Sequence, residues 1–427
     1  MLHTVKKRLY FVVATYFAFW AKFVLRRWQP RIIVITGSSG KTSLLHLTEA
    51  QLGDRAVYSH HANSAIGIPF HILGLESNIT SRIEWLKYFV VAPFHIWRQL
   101  PEVKLYVVEA DCDRPNEGAF TAKLLKPEVV MWISVYNTHS MNFDNQVKSG
   151  QFTNHEAAIA NEFGNFVAQA TKLIIANGDQ TELVNQLKRA VTGTTIKQVS
   201  ATKTTNYQVK TDQTIFSLDN QTITLPGLHP KDTGLSLQMV NELTSYLGIT
   251  VDPSYQKLII PPGRNNIYKG QKNTTLIDST YNNGLGAATA VITLLADYPF
   301  SLTKWLVMSD ILEQGSIEAD EHKRLALVIE QYQFDKVILL GRRTHQFTYP
   351  LLQAKLEAGK LVSFITAGEV LDYLNAQLHG GEVILFKGAL GLEGVIEQLL
   401  ADPKQADQLV RRGSVWTKRR QDWGLPR

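Results

Sequence analysis

Residues Arg31–Leu47 read RIIVITGSSGKTSLLHL, and this stretch decides the fold that we expect. Its apolar, β-branched start, Ile32–Ile35, predicts a buried parallel strand. Gly37 and Gly40 then turn the chain into Lys41-Thr42-Ser43, which opens a segment with helical spacing. A strand, a glycine-rich turn, Gly-Lys-Thr and a helix in this order predict a phosphate-binding loop, with a chance Gly-Lys-Thr in a turn as the alternative.

Each part of this loop has a predicted role in binding ATP with Mg²⁺. Backbone N–H groups of the turn close around phosphate oxygens, and the helix N-terminus adds positive potential. We expect Lys41 to reach the terminal phosphates and Thr42 to offer its hydroxyl to Mg²⁺. The nucleotide-binding residues predicted in the loop are Gly37, Ser38, Ser39, Gly40, Lys41, Thr42 and Ser43.

The composition narrows the class of protein further. At 427 residues the chain can hold two or three domains, and 44% hydrophobic against 19% charged residues predicts a globular protein. Cys112 is the only cysteine, which excludes an internal disulfide and a cysteine-based zinc site and suits a reducing cytoplasm. The net charge of +6 is mild for this length, so we expect no nucleic-acid partner. No feature of the composition predicts an oligomeric state.

The segment before the loop is apolar, aromatic and flanked by basic residues. Residues 9–21 read LYFVVATYFAFWA, which is shorter than the roughly 20 residues of a spanning helix. We expect residues 1–30 to form a helix that lies in the cytoplasmic membrane face, where basic side chains meet anionic lipid. A helix packed on the protein's own surface stays open as the alternative. Residues 76–100, rich in aromatics, predict an amphipathic helix or lid, or buried core.

Two further strands are expected to deliver functional side chains to one edge of the sheet. Val103–Ala110 carries Glu109 at its end, and open α/β sheets bind ligands at the carboxyl ends of their strands. Glu109 is therefore a candidate Mg²⁺ ligand opposite Thr42, whereas Asp111 and Asp113 are interpreted as the start of a loop. Val129–Val135 delivers His139, for which we favour a metal or phosphate contact over a loop histidine.

A second histidine signal, His60-His61, does not predict a shared ion, because neighbours on an extended chain point to opposite faces. Further along, Leu173–Asn177 predicts a fourth strand, and residues 195–225 alternate polar and β-branched residues as a small antiparallel section does. Prolines near residue 258 indicate a hinge, and alternating β and α patterns beyond it predict a Rossmann-like domain. The predicted fold is α/β: an N-terminal apolar helix (1–30), a central P-loop ATPase domain with a mainly parallel sheet (31–258) and a C-terminal Rossmann-like domain (259–427).

Eight motifs in order resemble a known family. They are TGSSGKTS, NSAIGIP, VVEADCDRPNE, NTHSMNF, PPGRNN, IDSTYNNG, SDILEQGSIEADEHKRL and LFKGALGLE, within residues 31–400. This order is similar to that of the Mur ligases, the ATP-dependent amide ligases of peptidoglycan precursor synthesis, and most similar to the branch that adds D-alanyl-D-alanine. The implied partners are a peptidoglycan precursor and an amino acid or dipeptide, met in the cytoplasm or at the inner face of the membrane.

The resemblance also implies a mechanism and site residues. A peptide carboxylate attacks the ATP γ-phosphate to give ADP and an acyl phosphate, which an incoming amine then attacks. Lys41, His139 and Arg264 match catalytic positions, Arg264 being the interdomain arginine near the phosphates. Thr42 and Glu109 match the ligands of one magnesium, and His139 helps to hold a second. Positions that match nucleotide contacts are Asp278, Tyr281 and Asn282. Asp310, Glu313 and His322 match the acidic motif with its following histidine, and for these a substrate-side role and a structural role both stay open.

The sequence departs from the family pattern at several positions. His155–Val167 has no lysine where the family carries one, often carbamylated, so we expect a second magnesium site that is either weak or differently built. The adenine-side motif is reduced to Gly227-Leu228-His229-Pro230. Lys387-Gly388 matches the last strand, but Leu390 stands where an arginine is expected, and Ser279 replaces the second aspartate of a pair.

About thirty residues stand where the family has its uridine-nucleotide domain, so we expect the activated substrate to be held differently, for example as a lipid-linked precursor. Two alternatives to the D-alanyl-D-alanine-adding ligase stay open. One is a Mur-like ligase or amidating subunit that acts on another carboxylate. The other is a degenerate ATP-binding scaffold associated with the membrane.

Overall fold

The chain forms fifteen strands and fifteen α-helices over the residues that the computed structural model describes, which are 2–76, 82–218, 221–299 and 303–426. The strands are β1 (Arg31–Thr36), β2 (Val57–Tyr58), β3 (Leu105–Ala110), β4 (Val129–Trp132), β5 (Leu173–Asn177), β6 (Thr195–Val199), β7 (Thr204–Val209), β8 (Gln213–Leu218), β9 (Gln221–Pro226), β10 (Asn266–Lys269), β11 (Thr275–Ser279), β12 (Lys304–Ser309), β13 (Lys336–Leu340), β14 (Leu361–Phe364) and β15 (Val383–Lys387).

The helices alternate with these strands, as the sequence pattern predicts for parallel sheets. They are α1 (Leu2–Trp28), α2 (Lys41–Leu52), α3 (Gly67–Leu73), α4 (Arg82–Val91), α5 (Glu117–Leu125), α6 (Asp144–Lys148), α7 (His155–Val167), α8 (Thr181–Leu187), α9 (Thr233–Leu247), α10 (Leu285–Asp297), α11 (Glu318–Glu330), α12 (Tyr349–Gln353), α13 (Ala367–Gln377), α14 (Leu392–Leu399) and α15 (Ser414–Asp422).

The first compact unit is built on a six-stranded parallel sheet. Its strand order is β2-β3-β1-β4-β5-β6, so β1 lies between β3 and β4 at the centre. All of β1 except its first residue is buried, as expected of a parallel strand covered by helices. This arrangement brings the loops after β1 and β3 to the same edge of the sheet. The unit comprises Met1–Tyr136, Asn145–Ala201 and Leu235–Val251.

One strand of this sheet corrects the sequence-based prediction. We expected residues 195–225 to form one antiparallel section, but β6 pairs in parallel with β5 in the large sheet. Because β6 is an edge strand, four of its five side chains are exposed and only Val199 is buried. The alternation of polar and β-branched residues in β6 is therefore typical of an antiparallel strand, although β6 pairs in parallel. The prediction is correct for β7, β8 and β9, which form an antiparallel three-stranded sheet.

The second compact unit is built on another six-stranded sheet. Its order is β10-β11-β15-β12-β13-β14, parallel throughout except for the antiparallel edge strand β10. Helices cover both faces, and the two apolar clusters of the core lie on opposite sides of the sheet. This is the Rossmann-like pattern predicted from the sequence. The unit comprises Asn137–Asp144, Thr202–Gly234 and Asp252–Arg427; the domain boundaries predicted after residues 30 and 258 stay predictions.

The N-terminal apolar segment is one continuous helix, α1, packed on the first unit. Phe17 is fully buried, and its ring lies 4.5 Å from the ring of Phe70 on α3. The Trp28 indole Nε1 donates a 2.8 Å hydrogen bond to the Val103 carbonyl just before β3. Within the described residues, Leu9–Trp28 is the one helix long and apolar enough to cross a bilayer by length and composition, and 28% of that window is buried in the protein.

The opposite face of α1 is exposed and apolar. Leu9, Val12 and Phe19 are each more than half exposed. The segment predicted as an amphipathic helix also presents aromatics to solvent, because Trp85, Tyr88 and Phe89 of α4 are partly exposed and Phe94 and Trp97 of the short turn that follows are exposed. Residues 77–81 of that segment lie outside the described residues. The packed face of α1 thus agrees with the alternative prediction of a helix packed on the protein's own surface. Its exposed face is apolar, which is the property on which the predicted membrane contact was based.

Candidate active site

The loop between β1 and α2 is held against the segment that follows β4. Gly37 has φ of 135°, and a Cβ there would lie 2.8 Å from the Ser134 carbonyl oxygen, so only glycine fits. The Ser38 N–H donates to that carbonyl at 3.0 Å, and the Ser39 N–H donates to the Ser134 hydroxyl at 2.9 Å. Because these two N–H groups are occupied within the protein, the nucleotide contacts predicted for Ser38 and Ser39 stay predictions.

The first turn of α2 supplies the other loop amides. Gly40, with φ of 87°, precedes the helix, and Lys41 begins it. The first N–H groups of a helix have no acceptor within the helix and carry the positive end of its dipole. Lys41, Thr42 and Ser43 lie in this turn, so their amides are directed as an anion site requires.

Lys41 is buried and paired with a carboxylate that the sequence reasoning dismissed. Its Nζ lies 2.7 Å from Asp111 Oδ2 and donates at 2.6 Å to the Gly37 carbonyl. Burial alone would lower the pKa of Lys41, but Asp111 and Glu109 outweigh it and hold the pKa above its usual value, so the ammonium stays charged. We interpreted Asp111 only as the start of a loop. Its position two residues after Glu109, on the same side of an extended chain, is the signal that could have identified it.

Thr42 and Glu109 lie together as predicted. The Thr42 hydroxyl donates to the Glu109 carboxylate, with 3.2 Å and 3.0 Å to the two oxygens. Glu109 is 8% exposed, and its backbone N–H donates to the Ser59 hydroxyl at 2.9 Å, which fixes the end of β3. A hydroxyl and a carboxylate side by side are hard oxygen donors of the kind Mg²⁺ takes. These two residues therefore fit a magnesium ion.

We expect Glu109→Gln to raise the Mg²⁺ concentration needed for half-maximal activity by about tenfold, because a neutral amide oxygen replaces an anionic ligand. The measurement is ADP release as a function of Mg²⁺ at fixed ATP. Glu102→Gln, at an exposed glutamate before β3, is the matched control and should leave the curve in place. An unchanged Mg²⁺ dependence in Glu109→Gln would contradict the metal-ligand role.

His139 belongs to the second compact unit, in the segment after β4. It has a left-handed backbone, with φ of 53°, and its Nδ1 contacts a carboxylate oxygen of Glu313. The Met141 N–H also donates to the Glu313 carbonyl, at 3.1 Å. The structure therefore joins His139 to a residue of the predicted acidic motif, and its role as a ligand of a second magnesium stays a prediction.

The positions matched to nucleotide contacts cluster where β11 and β15 end. Asp278 is fully buried near the end of β11, and its Oδ1 accepts from the Thr280 N–H at 2.9 Å and from its hydroxyl at 2.6 Å. Burial raises the pKa of Asp278. The Arg264 guanidinium lies over the Tyr281 ring, 4.1 Å from its centre, an arrangement favourable for a cation and an aromatic ring. The structure thus brings together Arg264, Asp278 and Tyr281 within the second unit.

Two basic residues complete this cluster. Lys387, at the end of β15, is buried and donates at 2.8 Å to the Asn282 carbonyl. Burial, with Arg264 adding to it, lowers the pKa of Lys387 to about 7. Arg411 donates at 2.7 Å to the Thr280 carbonyl, so it braces the turn after β11. Nothing in the sequence around Arg411 indicates that it returns to this turn.

The acidic-motif residues Asp310 and His322 have structural roles here. His322 is fully buried; its Nδ1 donates to the Glu318 carbonyl at 2.7 Å, and its Nε2 accepts from the Ile311 N–H at 3.1 Å. Burial lowers the pKa of His322, which keeps the ring neutral. Asp310 Oδ1 accepts from the Thr344 N–H at 2.7 Å, which fixes the turn after β13. Of the two roles that the sequence left open for these residues, the contacts favour the structural one.

His229, in the reduced adenine-side motif, is a buried core residue. Its Nε2 donates at 2.9 Å to the Pro226 carbonyl, and its N–H donates at 3.0 Å to the Thr214 hydroxyl. Burial lowers the pKa of His229 to about 4. The ring therefore closes the end of the three-stranded sheet, which accounts for a histidine at this position without any ligand.

A low pKa in the folded state makes stability depend on pH. Unfolded histidine titrates near 6.5, so on acidification the unfolded chain takes up the proton first; the stability present above pH 6.5 is lost as pH falls towards 4. We expect His229→Gln to reduce the loss of unfolding free energy between pH 7 and pH 5 by about 2 kcal/mol. Urea unfolding at pH 7 and at pH 5 measures this difference in unfolding free energy. His379→Gln, at an exposed histidine, should keep the wild-type difference; an equal difference in His229→Gln would contradict the assignment.

Known proteins share this fold. No protein-family model matches the chain. It is similar in sequence to the UDP-N-acetylmuramoyl-tripeptide–D-alanyl-D-alanine ligase of Escherichia coli, with 24% identity over 344 residues, covering 76% of this chain and 68% of the relative. The Bacillus subtilis ligase of the same name is 23% identical over 401 residues, covering 90% and 79%. Among solved structures, the MurF ligase of Thermotoga maritima in complex with ADP matches with a TM-score of 0.70 at 18% identity, covering 92% of this chain and 84% of that one.

A second group of solved structures has the same fold with another activity. The folylpolyglutamate synthase of Mycobacterium tuberculosis matches with a TM-score of 0.55 at 15% identity, covering 87% of this chain and 92% of that one. The chain therefore has the fold of the MurF and folylpolyglutamate synthase structures. In sequence it is similar to relatives that, in both bacteria, carry the name of the D-alanyl-D-alanine-adding ligase.

Proposed function

We propose that this chain is an ATP-dependent, ADP-forming ligase that joins D-alanyl-D-alanine to a UDP-N-acetylmuramoyl-tripeptide in the cytoplasm. The observation that carries the proposal is the pairing at the loop, in which charged Lys41 meets Asp111 and the Thr42 hydroxyl meets Glu109. A scaffold that had lost catalysis would have no need of this charged, buried arrangement. The names of the relatives at 24% and 23% identity supply the substrate class.

The residues of the loop suit activation of a carboxylate by a phosphoryl group. Lys41 holds a positive charge at the start of α2, where the helix dipole adds to it, so anionic oxygens are favoured there. Gly37 lets the loop pack tightly on Ser134, which fixes its shape before any ligand arrives. ATP, when bound, supplies the phosphoryl group.

Magnesium fits the same loop. Thr42 and Glu109 would hold the ion, which would neutralise charge on phosphate oxygens. Because the Glu109 carboxylate lies at the carboxyl end of β3, it faces the edge at which parallel sheets bind their ligands. We include Mg²⁺ in the proposal on the chemistry of these two donors.

A coupled ADP-release assay tests the proposal. We expect release that requires both UDP-N-acetylmuramoyl-tripeptide and D-alanyl-D-alanine, and a product with the mass of the pentapeptide. Reactions that replace the acyl substrate with a folate or the dipeptide with a single amino acid test ligases of other specificity. Release with one of these and none with the muramoyl pair would overturn the substrate assignment. ATP binding without ADP release from any pair would favour the scaffold.

We also propose that the exposed face of α1 rests on the inner membrane surface. Val12 and Phe19 are 64% and 52% exposed, and Lys22 and Arg26 are exposed at the C-terminal end of the same helix. At 100° per residue these four positions fall on one side of the helix. Apolar side chains with adjacent basic residues match the chemistry of an anionic lipid surface. The exposed apolar residues of the neighbouring segment are Leu86, Val90, Phe94 and Trp97.

Vesicle flotation tests this contact. We expect the full chain to float with vesicles containing anionic phosphatidylglycerol and much less with neutral phosphatidylcholine. The Val12→Ser, Phe19→Ser double variant should lose most of the binding, whereas Leu327→Ser, at an exposed leucine of α11, should keep it. Absence of binding to either vesicle, or unchanged binding by the double variant, would overturn the membrane proposal and leave the ligase proposal untouched.

A further inference from the structure

Two histidines and a glutamate converge beside the helix that carries the phosphate loop. His46 and Glu49 lie one turn apart on α2, and His60 follows β2. Glu49 Oε2 lies 3.5 Å from His46 Nδ1 and 3.0 Å from His60 Nε2. One ligand atom from each residue falls within 4.8 Å of the others. This is the spacing of donor atoms around a single metal ion.

We propose that His46, Glu49 and His60 bind one divalent transition-metal ion, Zn²⁺ being the probe of choice. Two imidazoles and one carboxylate are the donor set of open zinc sites, which leave further positions for water. Imidazole favours zinc, copper and nickel, whereas Mg²⁺ takes oxygen ligands, so the ion differs in class from the one expected at Thr42 and Glu109. The proposal goes beyond the ligase function and does not depend on it.

The local fold explains why these three residues meet. Positions i and i+3 of a helix share a face, so His46 and Glu49 point the same way from α2. The chain after β2 then brings the His60 ring alongside that of His46, with 5.0 Å between centres and 32° between planes. The sequence does not predict an ion shared by His60 and His61, which are adjacent in the chain. The structure instead gives His60 partners on α2, eleven and fourteen positions away in the chain.

Charge and burial also suit a cation. The three side chains are 14%, 31% and 35% exposed for His46, Glu49 and His60, so they are partly shielded yet reachable from solvent. The Glu49 carboxylate, 3.5 Å and 3.0 Å from the two imidazole nitrogens, is the anionic group of the cluster and favours a positive ion there.

A metal accounts for the geometry better than hydrogen bonds alone. A carboxylate accepts from two imidazoles only when both facing ring nitrogens carry protons, and the 3.5 Å separation from His46 Nδ1 is at the outer limit of a hydrogen bond. An ion between the three atoms needs no proton on either nitrogen and draws all three ligands inward. The metal would also tie α2 to the end of β2, one turn after Thr42 along the helix.

The test is direct metal binding by the full-length protein, stripped with a chelator and titrated with Zn²⁺ in excess Mg²⁺. We expect one equivalent to bind in competition with a chromophoric chelator. His46→Ala and His60→Ala should each lower the affinity by about 100-fold or more, judged from the effect of losing even an outer partner of a ligand. His61→Ala removes the adjacent histidine and should bind as the wild type does.

Co²⁺ provides a second readout, because the visible absorption bands of the bound ion change with its ligands and so distinguish nitrogen ligands from oxygen ligands alone. We expect the Co²⁺ absorption bands in the wild type and in His61→Ala. His60→Ala should lose these bands. Glu49→Gln, which keeps the side-chain shape, should weaken binding while circular dichroism stays that of the wild type. No Zn²⁺ bound by the wild type, or wild-type affinity in the His46→Ala and His60→Ala variants, would overturn the site. Neither outcome depends on ADP release.

Discussion

Lys41→Ala is expected to lower ADP formation by about 1,000-fold, because it removes a buried positive charge from the loop that would face phosphate oxygens. Nζ contacts an oxygen atom of Asp111 at 2.7 Å and the carbonyl oxygen of Gly37 at 2.6 Å. The raised pKa keeps the ammonium charged throughout the neutral range. The coupled ADP assay measures the loss, and Lys123→Ala, at an exposed lysine of α5, should retain full activity.

The removal of Lys41 also leaves the Asp111 carboxylate without its ion-pair partner in a partly buried position, which could lower stability as well as activity. The Lys41→Ala, Asp111→Ala double variant separates the two effects. We expect it to unfold in urea close to the wild-type midpoint and to remain inactive. Activity near the wild-type level in either variant would contradict the assignment of the phosphate loop.

Phe17→Ala is expected to lower the free energy of unfolding of the first unit by about 3–5 kcal/mol. Phe17 is fully buried between α1 and α3, with its ring 4.5 Å from Phe70 and 5.1 Å from Phe89. A truncation here loses the transfer free energy of the ring and leaves a cavity in an aromatic cluster that cannot readily close. Urea unfolding of the full chain, followed by tryptophan fluorescence, measures the change.

Phe19→Ala is the matched control, because the same residue type on the same helix is 52% exposed. We expect its unfolding free energy to stay within about 0.5 kcal/mol of the wild type. The two variants should also differ on vesicles, with Phe19→Ala binding less well and Phe17→Ala, while folded, binding as before. Equal stability of the two variants would mean that α1 does not pack on the protein as described.

The strand, loop and helix at residues 31–52 were predicted almost to the residue. Their signals are local: a β-branched run, glycines at positive φ, and helical spacing. The proximity of Thr42 and Glu109 follows for the same reason, since parallel strands end at one edge and β1 and β3 are neighbours, while their role as magnesium ligands stays a prediction. The alternation of strands and helices in the C-terminal part could be predicted equally well, because each strand there is a short apolar run between amphipathic helices.

Contacts between distant segments could not be predicted in this way. Asp111 was set aside because nothing in its neighbours reveals the ammonium it meets. Arg411 returns to the turn after β11 from 131 positions along the chain, and His60 finds its partners on α2. The edge strand β6 was assigned to the wrong sheet because exposure, which made its sequence polar, hid its parallel pairing. In each case the missing information is three-dimensional proximity.

The short link between α1 and β1 limits the distance between α1 and the phosphate loop. Only Gln29 and Pro30 separate the helix from the strand, and β1 ends at Thr36, one residue before the loop begins. Eight extended residues span at most about 30 Å. If α1 rests on lipid, the phosphate loop therefore lies at most about 30 Å from the C-terminal end of that helix. Such a tether would confine ADP formation to a layer of that thickness above the bilayer.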